Sequence, residues 1–305
     1  MPSDWAFVSV DMELTNRCST DCLMCPREAI TRPKGMMPEC VFKAVSEKLT
    51  GEGSLITFSG MGDPLSHPNV FEWIYEIRRK GGDVGIVINP ASLNKEISKK
   101  LVESSPNSIT LSFPSLRKSV FKKLCPKVSY DNALKRTLEL IDLARGNAGL
   151  RVTGIITDIN SEEQEEYVSF WKRRGVGSSM TVCHGRGGNL RLPGIYEPQS
   201  IGLESGICSL FQFHTFLTWE GEVLACCHDL TGATRIGSLV NDDVRIIAER
   251  KRKALKDSML FPVCGQCDEP LRQCPTPQGL PPESRKERIR FFRSVTQEKK
   301  SFAER

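Results

Sequence analysis

Cys18, Cys22 and Cys25 place three thiols within one short run, CSTDCLMCPRE. Thiols that close can converge on a single metal centre only if the backbone wraps around it. Structural zinc sites pair cysteines at a gap of about two to four residues and then need further ligands from a second knuckle. Three ligands in one loop instead suit a four-iron four-sulfur cluster with one iron left open, where a substrate or cofactor could coordinate. A second set lies towards the other end: Cys208, then Cys226 with four residues between it and Gly221, then the CxxC pair Cys264 and Cys267, with Cys227 and Cys274 nearby. Four cysteines delivered by a hairpin and a later knuckle could hold a structural zinc or a second iron-sulfur cluster.

Twelve cysteines in 305 residues is a high count for a chain whose N-terminus, MPSDWAFVSV, lacks the basic-then-apolar layout of a signal peptide. No run approaches the roughly 20 apolar residues needed to span a bilayer. A cytoplasmic protein without membrane contact is expected, and in a reducing compartment such a count argues for metal or redox chemistry rather than disulfides. With 39% hydrophobic and 26% charged residues the composition is that of a globular protein, which excludes disordered, collagenous and coiled-coil chains. The net charge of +5 is unevenly placed, because residues 281–305 hold eight basic against four acidic side chains. The remainder is almost neutral and shows no basic face interleaved with aromatics, so no nucleic-acid partner is expected.

The elements that must position these thiols alternate regularly. Strand candidates are Phe7–Glu13, Ser54–Ser59, Val84–Asn89, Ser108–Phe113, Leu150–Thr157 and Ser179–His184. Helix candidates between them are Glu39–Leu49, Asn69–Lys80, Asn94–Glu103, Asp131–Arg145 and Glu162–Arg174, the last preceded by a capping-box pattern at Ser161 and Gln164. Six such units imply an α/β fold with a parallel sheet, either open or a partial barrel, and chemistry at the carboxyl ends of the strands. The first thiol loop follows the first strand. After His184 the run GRGGNLRLPGIYEPQSIG loses periodicity and reads as a linker into a second unit. There His214–Trp219 and Glu222–Cys226 flank a turn as a hairpin would, and Asp242–Lys256 reads as a helix. The expected division is 1–190, 191–280, and a basic tail over 281–305.

The segment VDMELTNRCSTDCLMCPRE, set after the first of six β/α units, resembles the radical S-adenosylmethionine (radical SAM) superfamily. That resemblance implies a partial (β/α)6 TIM barrel and a [4Fe-4S] cluster on Cys18, Cys22 and Cys25. Its open iron is chelated by S-adenosylmethionine, and reductive cleavage yields a 5'-deoxyadenosyl radical that takes hydrogen from substrate. The run FSGMGDPLSHP resembles the family's glycine-rich segment that holds the methionyl amino group, over Gly60, Met61, Gly62 and Asp63, with Asp63 standing where Glu is usual. Ser112 matches a ribose-contacting position, Asn89 a polar position after the third strand, and Met24 a residue whose backbone lies near adenine. CSLFQFHTFLTWEGEVLACCHD with RIGSLVNDDV and CGQC resembles the SPASM or twitch extension, a small α+β unit. A full SPASM domain uses seven cysteines for two clusters, and none follows Cys274 here. The twitch form fits better: one auxiliary [4Fe-4S] cluster on Cys208, Cys226, Cys264 and Cys267.

Five cysteines remain. Cys40 reads as a buried hydrophobe, and Cys125 in KKLCPK as a loop thiol without a role. Cys227 is unassigned. Cys183, at the end of strand six, and Cys274, beside the auxiliary cluster, are candidates to donate a hydrogen atom to a substrate radical. The four histidines have no spacing for a metal triad, though His184 falls at a strand end facing the expected site. The resemblance implies hydrogen abstraction from a peptide residue or a biosynthetic small molecule, ending in epimerisation or dehydrogenation, or peptide maturation by cross-linking or backbone excision. A non-catalytic metal-bearing scaffold is the alternative from another class. An electron donor of the flavodoxin or ferredoxin type is implied, and for a peptide substrate a separate leader-binding protein.

Overall fold

Short apolar runs rich in Val, Ile and Phe become the strands β1 (Ser9–Met12), β2 (Leu55–Phe58), β3 (Asp83–Ile88), β4 (Ser108–Ser112), β5 (Gly149–Ile156) and β6 (Gly177–Val182). The structure, a computed structural model, describes residues 5–146, 149–198, 208–257 and 261–269. Each strand pairs in parallel with its successor, giving the spatial order β6-β5-β4-β3-β2-β1. Among the described residues β6 pairs only with β5, so the arc stays open, as a partial barrel of six β/α units requires. Parallel strands need crossovers. Here these are α1 (Glu39–Gly51), α2 (Val70–Arg79), α3 (Lys95–Glu103), α4 (Lys118–Leu124), α5 (Tyr130–Leu143) and α6 (Gln164–Lys172). Their apolar faces close the core. Phe42 of α1 stacks on Trp73 of α2 at 4.1 Å between ring centroids, and Tyr167 and Trp171 of α6 are fully buried beside Phe113.

Beyond the linker come α7 (Ser209–Phe213), β7 (His214–Leu217), β8 (Glu222–Leu224), β9 (Arg235–Ser238) and α8 (Val244–Lys256). This unit continues the sheet of the first. β7 pairs in parallel with β1 from Ser9↔His214 to Met12↔Leu217, and β8 and β9 follow antiparallel, making nine strands in all. An uncovered β1 would present a row of unpaired backbone groups. The hairpin of β7 and β8 covers it. Lys251 of α8 is buried and donates to the carbonyl of His214 at 2.8 Å and to Thr215 Oγ1 at 2.9 Å, fixing the helix to this junction. No described helix is long and apolar enough to cross a membrane.

Four local expectations are corrected. Cys40, expected as a buried hydrophobe, is exposed in the first turn of α1. α4 is a helix where a loop was expected, because its seven residues are too few for periodicity to stand out. β9 was missed because RIGS has weak strand composition. The capping box fails: Ser161 lies in a 3-10 turn over Ser161–Glu163, and no side chain caps α6. Glu163 instead turns inward with 0% exposure. It accepts from Ser115 Oγ at 2.6 Å, the Leu116 and Arg117 amides at 2.5 and 3.3 Å, and Asn160 Nδ2 at 2.9 Å. The loop leading from β4 into α4 is therefore held by a buried carboxylate. Glu163→Ala leaves several of these donors unpaired and is expected to cost about 3 kcal/mol in anaerobic denaturant unfolding. Glu163→Gln, which keeps one oxygen facing the amides, should cost less.

Candidate functional site

The thiol loop emerges from the carboxyl end of β1, and its flanks are stitched before any thiol is reached. Thr15 Oγ1 donates to the Gly35 carbonyl at 2.7 Å, Asn16 Nδ2 to the Pro33 carbonyl at 2.8 Å, and the Gly35 amide to Asn16 Oδ1 at 2.9 Å. Glu13, fully buried, receives both ends of the Arg32 guanidinium at 2.6 Å each, and its Oε2 also accepts the Met61 amide at 3.2 Å. One carboxylate thus joins the strand end, the chain beyond the thiol loop, and the glycine-rich segment after β2.

Within the loop the Cys25 amide donates to the Cys22 carbonyl at 3.0 Å, and Arg27 Nη1 to the Cys18 carbonyl at 2.6 Å. Thr20 Oγ1 lies 3.2 Å from Cys18 Sγ and 3.7 Å from Cys22 Sγ. Cys125, from the end of α4, brings its sulfur to 3.1 Å from Cys22 Sγ, and Asn89 Nδ2 lies 3.8 Å from the same sulfur. The bond from Cys125 is the main cause that lowers the Cys22 thiol to about 7, against burial that opposes ionisation. Cys22 is thus the thiol of this loop whose neighbours favour thiolate, whereas burial raises that of Cys25.

The glycine-rich segment docks on this loop through its backbone. The Asp63 amide donates to the Arg17 carbonyl at 3.0 Å, and a Cβ on Gly62 would meet the Thr15 carbonyl oxygen at 2.2 Å. Gly60 has φ +124° and lies against the Glu13 side chain, a conformation and a clearance that only glycine meets without strain. The Met61 side chain is buried with Ile30 and Leu230. Asp63 is buried, accepts the Leu65 amide at 3.0 Å, and bonds Ser92 Oγ. Burial raises its carboxyl above the usual range, with those two bonds opposing. Asn89 Oδ1 accepts the Ala91 amide at 2.9 Å, and Ser112 is half-buried at the end of β4. Met24, in the thiol loop, packs against Cys183, Leu190 and Tyr196 as one group.

The second set of thiols also converges. Cys208 precedes α7, Cys226 follows β8, and Cys264 and Cys267 sit at a 3-10 turn over Pro262–Gln266. Burial raises the Cys208 thiol, with Cys267 and Cys264 close enough to add to it. Cys226 is raised well above its ordinary value, first by its bond with Cys227, and Cys227 is correspondingly lowered. Several half-buried sulfurs so close that their charges oppose one another suit a soft, thiolate-binding centre, so this donor set fits a cluster.

The histidines, scattered in sequence, are not scattered in space. His184 and His228 lie 5.0 Å apart between ring centroids, and Glu269 Oε2 reaches them at 3.1 and 3.5 Å. Burial, helped by Arg186, lowers His184 to about 3, so it stays neutral. Burial also opposes charge on His228, but the Cys227 thiolate carries it to about 10. Next to Glu269, Asp268 Oδ1 accepts the Gly185 amide at 2.7 Å. Cys183 does not stand at an open mouth: it is 2% exposed beneath the 185–198 segment, and burial pushes its thiol up to about 11. A cavity of about 590 Å³ opens between that segment and Cys267. Cys274 and the 281–305 tail lie outside the described residues. Sequence reasoning missed Glu13, Arg32, Cys125 and Glu269, each of which acts through a partner 19 or more positions away.

Comparison with known proteins agrees with this arrangement. The family model of the Radical SAM superfamily matches residues 12–170, and that of the SPASM iron-sulfur cluster-binding domain matches residues 208–268. A tungsten-containing aldehyde ferredoxin oxidoreductase cofactor-modifying protein of Pyrococcus furiosus is 32% identical over 95 residues, 30% of this chain and 26% of that protein. The chain therefore spans about a quarter of that relative's length. Among solved structures, anSMEcpe with bound AdoMet and Cp18Cys peptide is similar at a TM-score of 0.63 and 14% identity, over 96% of this chain and 99% of that one. BtrN in complex with AdoMet and 2-DOIA is similar at 0.57 and 16%, over 88% and 95%.

Two substitutions test the geometry. Arg32→Ala strands the buried Glu13 charge and is expected to cost about 3–5 kcal/mol of stability. Gly62→Ala forces the segment off the Thr15 carbonyl, and S-adenosylmethionine affinity measured by calorimetry on anaerobic protein is expected to fall about tenfold or more.

Proposed function

From the premise that the chain belongs to the radical SAM superfamily and carries a SPASM-type iron-sulfur domain, we propose that it abstracts hydrogen from a carbon of a peptide residue or small molecule, leading to epimerisation or dehydrogenation. Its cofactors are [4Fe-4S] clusters and S-adenosylmethionine. Cys18, Cys22 and Cys25 hold the cluster at the β1 end, and Cys208, Cys226, Cys264 and Cys267 hold the auxiliary one. The division into a barrel to about residue 190 and an auxiliary unit beyond it belongs to the same reading. When bound, the first cluster supplies the electron that cleaves S-adenosylmethionine to the hydrogen-abstracting radical.

The chain's own residues do the rest. The backbone of Gly60–Asp63, held by Glu13 and Arg17, receives the methionyl group, and Met24, Asn89 and Ser112 line the nucleoside side. One observation carries the choice of outcome: Cys183 is a buried, protonated thiol in the same packed group as Met24 of the cluster loop. A neutral S–H can give a hydrogen atom, proton and electron together, to a carbon radical, leaving a thiyl. That is the donation epimerisation needs. The converged auxiliary thiols favour dehydrogenation as the second outcome, because a cluster there could accept the substrate radical's electron. Cys274 remains a second candidate donor. A flavodoxin- or ferredoxin-type protein would deliver the electron. A peptide substrate is supported by the peptide-bound anSMEcpe neighbour and would engage the chain directly or through a leader-binding partner, and BtrN with 2-DOIA supports a small molecule.

Anaerobically reconstituted protein is expected to bind about eight irons and to form 5'-deoxyadenosine from S-adenosylmethionine with dithionite. About four irons would overturn the auxiliary assignment, and no 5'-deoxyadenosine would overturn the activity. In deuterated water, epimerisation places one solvent deuterium on carbon, and Cys183→Ala or Cys274→Ala identifies the donor by abolishing it. A product two hydrogens lighter with no deuterium identifies dehydrogenation or cross-linking instead.

A further inference from the structure

Cys125 is remote from the thiol loop in sequence and belongs to no ligand motif. Its side chain is nevertheless 3% exposed and meets Cys22 Sγ at 3.1 Å, oriented as donor. The contact is built from both sides. The Leu23 amide donates to the Leu124 carbonyl at 2.8 Å, so the residues following Cys22 and preceding Cys125 are tied by backbone. The Cys125 amide closes α4 on the Phe121 carbonyl at 2.8 Å, and the Val128 amide returns to the Cys125 carbonyl at 3.1 Å. At the surface Lys127 Nζ pairs with Asp21 Oδ2 at 2.7 Å. Two links thus tie the end of α4 to the thiol loop, and two more hold Cys125 within its own turn.

We propose that Cys125 is a positioning and tuning residue of the cluster that binds S-adenosylmethionine: its buried S–H donates to the coordinated Cys22 sulfur and raises that cluster's reduction potential. This rests on Cys18, Cys22 and Cys25 being the ligands. The physical reason is charge. Reduction adds an electron to a cluster whose negative charge is spread onto its thiolates, and a donor aimed at one of them stabilises the reduced state more than the oxidised one. The donor comes from the protein side of the loop, since Cys125 itself is 3% exposed. Asn89 Nδ2, at 3.8 Å from the same sulfur, adds a weaker contribution from β3's end. Cys22 is thereby set apart from Cys25, which lies at the exposed edge of the loop.

The test is an EPR-monitored redox titration of the reconstituted holoenzyme, in which the signal that changes on adding S-adenosylmethionine identifies the cluster concerned. Cys125→Ala is expected to shift that midpoint to more negative potential, leaving the auxiliary midpoint and the iron content unchanged. Cys125→Ser keeps a donor on a shorter reach and should shift it less. An unchanged midpoint in both variants overturns the proposal. Loss of about four irons in both also overturns it, since Cys125 would then be a ligand rather than a donor. Cys22→Ala separates the underlying reading: it should lose about four irons, and full iron retention there would refute the ligand assignment whatever Cys125 does.

Discussion

The site depends on one buried ion pair. Glu13 and Arg32 meet through two 2.6 Å bonds with side-chain exposures of 0% and 4%. Removing both charges from water is costly, and their attraction repays it only with good geometry and further hydrogen bonds. The Met61 amide supplies one such bond, and the Arg32 guanidinium lies 5.9 Å from the Phe216 ring centroid. The pair therefore stabilises little beyond an apolar replacement, but it specifies a great deal. It sets where β1 ends, where the chain returns after the thiol loop, and where the segment after β2 begins. A leucine pair at these positions could pack without fixing any of the three.

The auxiliary unit enters the same construction from the other side of β1. β7 covers the free edge of that strand, and the Glu13 amide donates to the Leu217 carbonyl at 2.9 Å. The Thr31 and Arg32 amides donate to the Leu230 carbonyl, and Trp219 Nε1 to the Pro33 carbonyl. Residues that bring Cys226 to its place thus also hold the far flank of the first thiol loop. Loss of structure around the auxiliary thiols would loosen the first loop through backbone contacts alone.

Much of this was legible in the sequence, and what was not has a physical reason. The six β/α units could be read because each buries a periodic apolar face, and the thiol loops because cysteine spacing within a loop is a local constraint. α4 was too short for its pattern to register, and with it went the position of Cys125. The Ser161–Gln164 pattern was sound local chemistry overridden by tertiary demand, since Glu163 was needed at the Ser115–Arg117 loop. Asp63 could be placed in the right segment, but not its engagement with Leu65 and Ser92, which depends on where β3's end arrives. The meeting of His184, His228 and Glu269 needs three elements folded together, and no spacing rule anticipates it.

That last cluster explains how the CxxC knuckle finds the barrel. Asp268 takes the Gly185 amide and Glu269 takes His184, so the two residues following Cys267 grip the two residues following Cys183. His228, two residues past Cys226, reaches the same carboxylate. The second set of thiols is therefore anchored to the end of β6 through bonds one or two residues away from the sulfurs themselves. Cys183 lies at the start of that grip and packs with Met24 of the first loop at its other side. It is thus a thiol placed between the two thiol loops. The proposed hydrogen donation rests on that placement, because it sets a buried, protonated thiol against both thiol loops at once.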